Sequence, residues 1–179
     1  MSLVVHINSW PGAGKFTVAR LVARETGYKL IDNHTLLNPA NALFDRADPL
    51  HASLRREIRD SFFRHAAQSH AASLIFTDAL ADDPSDRVMF NQCSALAASR
   101  GSTLVTIVLD CELGEYVRRI VEPGRSELRK LTRPDVLADM RAKYQLLRSD
   151  ESNRLDLDVT NLTASDAAAI IVSHLRKLA

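Results

Sequence analysis

Five short apolar runs alternate with longer stretches of helical periodicity along the whole chain. The runs are residues 3–7, 29–32, 73–77, 104–109 and 154–159. The apolar, β-branched character of the central runs predicts strands buried on both faces, which is typical of a parallel sheet. Parallel strands need crossover connections, and right-handed crossovers place helices on both faces of the sheet. We therefore expect an α/β chain folded as a three-layer α/β/α sandwich around a five-stranded parallel sheet.

The composition excludes several functional classes. The chain has 179 residues, of which 46% are hydrophobic and 25% charged, and this predicts one folded domain over residues 1–179. Basic and acidic residues number 23 and 22, so we expect no nucleic-acid partner. We also expect no membrane span and no signal peptide, because no long apolar segment is present. The two cysteines, Cys93 and Cys111, fit core positions in a reduced, cytoplasmic protein.

A glycine-rich turn joins the first strand to the first helix. It reads Ser9-Trp10-Pro11-Gly12-Ala13-Gly14-Lys15-Phe16-Thr17. Gly14 and Lys15 match the phosphate-loop pattern G-x-x-x-x-G-K-[ST], whereas Ser9 and Phe16 depart from it. Backbone N–H groups at a helix N-terminus can converge on a polyphosphate, and the lysine adds a positive charge. The alternative is a tight turn with an incidental lysine. On the first interpretation the nucleotide-binding residues are Gly12, Ala13, Gly14, Lys15, Phe16 and Thr17.

The run from Pro11 to Thr17 resembles the loop of adenylate kinases and other nucleoside monophosphate kinases, in which Gly and then Thr follow the lysine. The layout of the chain is similar to that of the shikimate and gluconate kinases, and Asp32-Asn33-His34 is similar to tunicamycin-resistance-type proteins. This resemblance implies a P-loop nucleoside triphosphate hydrolase fold that binds ATP and Mg²⁺. It also implies an acceptor-binding segment at about 33–72, a short lid at about 122–134, and a Thr17 hydroxyl on the metal.

Two acids follow predicted strands and so fall at the ligand-binding edge of the sheet. In the shikimate and gluconate kinases an Asp near Asp32 contacts the acceptor hydroxyl, and the resemblance implies a catalytic Asp32. The alternative is a carboxylate that caps the next segment. Asp78 resembles a Walker B acid, which implies a second metal-binding position. The alternative is that Asp78 is a carboxylate at the end of a strand that is hydrogen-bonded to nearby backbone.

Several arginines lie where anions could bind. Arg119 and Arg125 resemble the arginines that flank adenylate kinase lids, which implies that they stabilise the transferring phosphoryl group on closure. The alternative is a solvated basic face. Arg55 and Arg59 lie opposite the apolar stripe of a helix predicted over 50–72, where one of them could reach an anionic acceptor.

These features favour an ATP-dependent phosphotransferase that acts on a hydroxyl of a small molecule. One alternative is a nucleotide-binding regulatory or resistance protein with weak ATPase activity, which Phe16 favours. Another is a nucleoside monophosphate kinase, although residues 77–81 after the third strand lack the Asp-Gly-Phe-Pro-Arg run of that family. The Asn-Lys-x-Asp motif of GTPases is absent. A monomer or a homodimer is expected.

Overall fold

The sheet has five parallel strands, as the sequence predicts. The structure is a computed structural model that describes residues 2–123 and 131–179. The strand order is β2-β3-β1-β4-β5, so the chain passes from the central strand β1 to the edge strand β2, returns through β3 and continues on the other side to β4 and β5. The strands are β1 (Leu3–Asn8), β2 (Lys29–Asp32), β3 (Leu74–Asp78), β4 (Thr103–Asp110) and β5 (Leu155–Asp158).

Helices cover both faces of this sheet and complete the three layers. Seven α-helices lie within the described residues. Their bounds are α1 (Lys15–Thr26), α2 (Asn33–Leu43), α3 (Pro49–Ala66), α4 (Pro84–Arg100), α5 (Leu113–Ile120), α6 (Pro134–Lys143) and α7 (Ala164–Arg176).

Side chains alternate between the two faces of a strand, and this alternation builds two apolar clusters. Ile75 of β3 packs in the cluster that contains α1 and α7. Phe76 packs in the second cluster, with Phe63 of α3 and Phe90 of α4. The cysteines are buried in these clusters, as the sequence predicts. None of the helices in the described ranges is long and apolar enough to cross a membrane.

Two predicted helices are too long at their C-terminal ends. The helix predicted to reach residue 72 ends at Ala66, because Ser73 already pairs with the sheet through Lys29 N–H. The helical pattern that begins at Pro134 predicts a helix as far as Leu147, but this helix ends at Lys143, because the next residues run extended beside the segment after β3. There the N–H of Leu147 donates to the carbonyl of Leu80.

Candidate active site

The phosphate loop curves tightly between β1 and α1. Gly12 and Gly14 have φ angles of 108° and 84°, a region that side chains with a Cβ rarely adopt. Gly12 also packs against α5, since a Cβ built there would lie 3.1 Å from Cδ1 of Tyr116. Glycine at position 12 is therefore required both by backbone angle and by space.

The three residues after Gly14 form the first turn of α1 and line the adjoining cleft. Lys15 is half-buried, and its Nζ donates to the carbonyl of Ser9 at 3.1 Å. Thr17 is exposed and Phe16 is half-buried, with the guanidinium of Arg20 5.9 Å from the centre of its ring. The predicted nucleotide-binding residues thus form one continuous helix N-terminus, although Ala13 is buried and lies outside the described lining.

A cleft of about 1190 Å³ opens at the carboxyl edge of the sheet. It joins the phosphate loop to the starts of α2 and α4 and to one side of α3. Among its described lining residues, five lysines and arginines face two carboxylates, so the cleft attracts anions. These charged residues are Lys15, Arg46, Arg55, Arg56, Arg59, Asp32 and Asp60.

Asp32 lies at the end of β2, lines the cleft and caps α2. Its Oδ1 accepts hydrogen bonds from the N–H groups of His34 at 2.7 Å and Thr35 at 3.3 Å. The capping interpretation of the sequence is therefore confirmed. The catalytic interpretation stays a prediction, because a half-buried carboxylate in the lining can also receive a further hydrogen bond.

Asp78, at the end of β3, is held by two side chains from other parts of the chain. Its Oδ2 lies 3.3 Å from Nε2 of His6, and its Oδ1 lies 3.5 Å from Nη1 of Arg59. Burial opposes ionisation of Asp78, but the His6 hydrogen bond and the charges of Arg59 and Arg55 outweigh it and lower its pKa. Asp78 lies outside the described lining of the cleft, whereas Thr17, the other predicted metal-binding residue, is part of that lining.

Arg55 and Arg59 lie one turn apart on α3 but differ in their partners. Arg59 is 5% exposed and is bonded to Asp78, Gln92 and the backbone of Met89. Arg55 makes a long hydrogen bond, 4.0 Å from its Nη2 to the thioether of Met89. Burial lowers the pKa of Arg55, and the charge of Asp78 opposes this shift. Arg55 is thus a cation in the cleft wall without a direct ion pair among the described residues.

Arg119 binds backbone carbonyls beside the phosphate loop. Its Nη2 donates to the carbonyl of Val159 at 2.9 Å, and its Nη1 lies 3.5 Å from the carbonyl of Ala13. Glu115 accepts from its Nε at 2.5 Å. The structure therefore places Arg119 between the phosphate loop and the segment after β5, outside the described cleft lining. Arg125, the other predicted lid arginine, lies outside the described residues.

Solved structures with similar folds cover almost the whole chain. A sugar kinase from Janibacter sp. HTCC2649 has a TM-score of 0.68 at 19% identity, and covers 98% of this chain and 95% of its own. A gluconokinase from Sinorhizobium meliloti 1021 has a TM-score of 0.68 at 18% identity, over 98% and 93%. The Mycobacterium tuberculosis APS kinase, solved with AMPPNP and APS, has a TM-score of 0.62 at 18% identity, over 98% of both chains.

This chain has the fold of the P-loop small-molecule kinases. No protein-family model matches its sequence, and no curated protein sequence matches it. The predicted fold class is confirmed, since the same five-stranded parallel sheet and two helical layers are present. In a P-loop kinase fold ligands bind outside the carboxyl ends of the strands, which is where the cleft lies.

The site fits a magnesium ion through few protein ligands. Mg²⁺ keeps several waters and takes one or two protein oxygens together with phosphate oxygens. Thr17 and Asp32 offer a hydroxyl and a carboxylate in the cleft lining. The described residues contain no group of three or more His, Cys, Asp or Glu that could hold a metal without a phosphate.

Asn8 is a buried residue of this site that sequence reasoning missed. It ends β1, and its amide nitrogen donates to the carbonyls of Leu80 and Leu147, both at 3.0 Å. Its Oδ1 accepts from the N–H of Leu80 at 2.8 Å. Asn8 therefore fixes two segments beside the cleft to the sheet. A polar residue at the end of an apolar run was the signal available in the sequence.

Proposed function

We propose that this protein transfers the γ-phosphoryl group of ATP to a hydroxyl group of a small molecule that also carries an anionic group. One observation carries the proposal: a single cleft is lined by the phosphate loop, by Asp32 and by Arg55. Such a cleft can hold a nucleotide and an acceptor together, which is the main requirement of phosphoryl transfer.

The phosphate loop would bind the triphosphate. The backbone N–H groups at the start of α1 would bind phosphate oxygens, and Lys15, whose Nζ donates to the Ser9 carbonyl, would turn toward the outer phosphates. Mg²⁺ held by Thr17, water and phosphate oxygens would neutralise the negative charge that develops on the phosphate oxygens during transfer. Catalysis of this kind rests on positioning and electrostatics.

Asp32 would act on the acceptor hydroxyl. Its carboxylate orients the hydroxyl and takes the proton as the acceptor oxygen bonds to the γ-phosphorus. The bond from that phosphorus to the bridging oxygen breaks, and ADP leaves with the electron pair. The fixed position of the carboxylate at the start of α2 supports this role, because Oδ1 accepts from the two capping N–H groups and Oδ2 accepts from the Thr35 hydroxyl at 3.3 Å, which keeps the group ordered.

Arg55 supports an anionic acceptor. It is a cation of the cleft wall on the acceptor-binding segment, whereas its neighbour Arg59 is already paired with Asp78, Gln92 and the backbone of Met89. A carboxylate, phosphate or sulfate group on the acceptor would pair with a guanidinium fork. Neutral polyols would leave this partly buried charge without a partner.

A second candidate is a nucleotide-binding protein that hydrolyses ATP slowly without an acceptor. Phe16 favours it, since an aromatic ring stands directly after the phosphate-loop lysine and lines the cleft. Stimulation of ATP consumption by an acceptor separates the two functions.

The test is a phosphoryl-transfer screen read by mass spectrometry. The protein is incubated with ATP, Mg²⁺ and pools of hydroxylated carboxylates, sugar phosphates, nucleoside monophosphates and neutral polyols. We expect one anionic pool to gain a phosphoryl group and to speed ATP consumption. Lys15→Ala is expected to abolish transfer, whereas Lys29→Ala, an exposed lysine of β2 outside the cleft, keeps it. ATP consumption that no pool stimulates would favour the second candidate.

A further inference from the structure

Asp78 lies on the face of the sheet that carries α3 and α4. It shares this face with Phe76 and Leu74, which pack against Phe63 and Phe90 in one apolar cluster. Thr77 has the opposite parity and lines the cleft together with the phosphate loop. The carboxylate of Asp78 is therefore directed at the acceptor-binding helix rather than along the strand edge toward α1.

Arg59 is the residue through which Asp78 contacts α3. Each of its three guanidinium nitrogens has a different partner: Nη1 has Asp78, Nε has Gln92 at 2.6 Å, and Nη2 has the carbonyl of Met89 at 3.1 Å. The guanidinium also lies 4.8 Å from the centre of the Phe63 ring. Arg59 thus joins α3 to both α4 and β3 through buried, directional contacts.

The surroundings of Asp78 leave little room for a hydrated magnesium ion. Its side chain is 3% exposed, and its two oxygens face His6 and Arg59. A magnesium ion retains several waters and would have to displace one of these two side chains or carry water into the apolar cluster. The sequence-based metal role of Asp78 disagrees with this geometry.

We infer that Asp78 is a positioning residue that holds α3 through Arg59, and so sets the place of Arg55 in the cleft. Arg55 precedes Arg59 by four residues and lies on the same side of the helix. Both contact Met89 of α4, so the anchoring of Arg59 fixes the approach of α3 to α4 at that point. Through Arg55, this arrangement would support the proposed subsite for an anionic acceptor, and only this link to the acceptor rests on the proposed function.

Magnesium dependence separates a positioning residue from a metal ligand. ATP binding is titrated with Mg²⁺ by calorimetry for the natural chain, for Asp78→Asn and for Asp82→Asn, an exposed carboxylate paired with Arg87. We expect the half-maximal Mg²⁺ concentration to change by less than about twofold in both variants, because neither carboxylate reaches the ion. A rise of about tenfold or more in Asp78→Asn alone would establish a metal ligand and overturn the inference.

Coupling between Asp78 and Arg59 is measured in the same variants. Asp78→Asn leaves the buried Arg59 without its counter-ion, so we expect a lower melting temperature. Adding Arg59→Gln is expected to recover part of that loss, since it removes the unpaired charge. If the decrease in melting temperature of the double variant equals the sum of the decreases of the two single variants, the side chains act independently, and this would contradict the inference.

A spectroscopic measurement on the natural protein tests the inference without any variant, so it does not depend on whether a variant folds. The Nε–Hε resonance of Arg59 is followed by NMR as Mg²⁺ is added to the protein saturated with ATP. A resonance that stays in place is the expected result, whereas a shift matching the metal titration would mean that the ion takes Asp78 from Arg59. If the protein fails to bind ATP, the proposed function fails, and the melting temperatures of the single and double variants still decide the inference.

Discussion

Gly12 combines a positive φ of 108° with close packing against Tyr116. We predict that Gly12→Ala destabilises the protein in two ways. The left-handed conformation costs about 1–2 kcal/mol for a residue with a Cβ. The contact of that Cβ with Cδ1 of Tyr116, at 3.1 Å, adds about 1–3 kcal/mol because Tyr116 is fully buried and cannot move away. ATP binding weakens as the loop shifts.

The matched control for this change is Gly27→Ala. Gly27 ends α1 with a φ of 73°, and a Cβ there would meet no atom within 4 Å. Gly27→Ala is expected to lose only the left-handed cost of about 1–2 kcal/mol in the free energy of unfolding, and its ATP affinity stays at the natural value. Urea unfolding and calorimetry measure both quantities, and equal losses for the two variants would contradict the packing argument.

At the scale of an element, Asp32 caps the start of α2 and also lines the cleft, where its proposed role is to accept a proton. Two substitutions separate the capping role from the proposed catalytic role. Asparagine caps helices as well as aspartate does, so Asp32→Asn is expected to keep the free energy of unfolding within about 0.5 kcal/mol. It lowers the transfer rate by about a hundredfold, because the amide cannot accept a proton. Asp32→Ala loses the cap as well, which costs about 1 kcal/mol.

Unfolding curves and initial transfer rates of both variants test this separation. Asp48→Ala is the control, since Asp48 caps α3 through the N–H of Leu50 and lies outside the described cleft lining. It should lose stability like Asp32→Ala and retain transfer. Full activity in Asp32→Asn would remove Asp32 from the chemistry and leave it as a cap.

The elements also show how far sequence reasoning reaches. β1, the phosphate loop and α1 are predictable because each depends on local signals: an apolar run, glycines for positive φ, and helical spacing. The ends of α3 and α6 are not, because pairing of Ser73 and Leu147 with distant backbone stops those helices. α2 escapes prediction for a different reason: the Asp32 cap marks its start, but its sequence contains Asn and Pro39, which disfavour a helix interior.

Site residues divide in the same way. Lys15 and Asp32 could be found from their place after a strand, since the carboxyl edge of a parallel sheet is where ligands bind. The partners of Asp78 could not, because His6 and Arg59 come from separate parts of the sequence and meet only in the folded chain. The place of Arg119 likewise depends on the carbonyls of the segment after β5.

For the molecule as a whole, acid stability depends on carboxylates paired with arginines, and Glu115 pairs with two arginines of its own helix, α5. Arg118 contributes most to lowering the pKa of Glu115 to about 2, burial opposes the shift, and Arg119 adds to it. Glu115 therefore helps α5 hold Arg119 against the carbonyl of Val159. Its folded-state pKa lies below the ordinary value of 4.5, so the stabilisation is complete above pH 4.5 and is lost as the pH falls toward about 2.

We predict that the free energy of unfolding of the natural protein falls through this pH window and that Glu115→Gln makes the fall shallower. In this pH window Glu115 is protonated in the unfolded chain and ionised in the folded chain. Removing the carboxyl group therefore lowers the slope of the unfolding free energy with pH by an amount equivalent to at most about one proton. Urea unfolding at a series of pH values measures the slope. Repeating the series in high salt is the control, because screening weakens the exposed Arg118 contact and should bring the two proteins closer together. Identical slopes for the two proteins at low salt would show that the pairing of Glu115 with the two arginines does not contribute to acid stability.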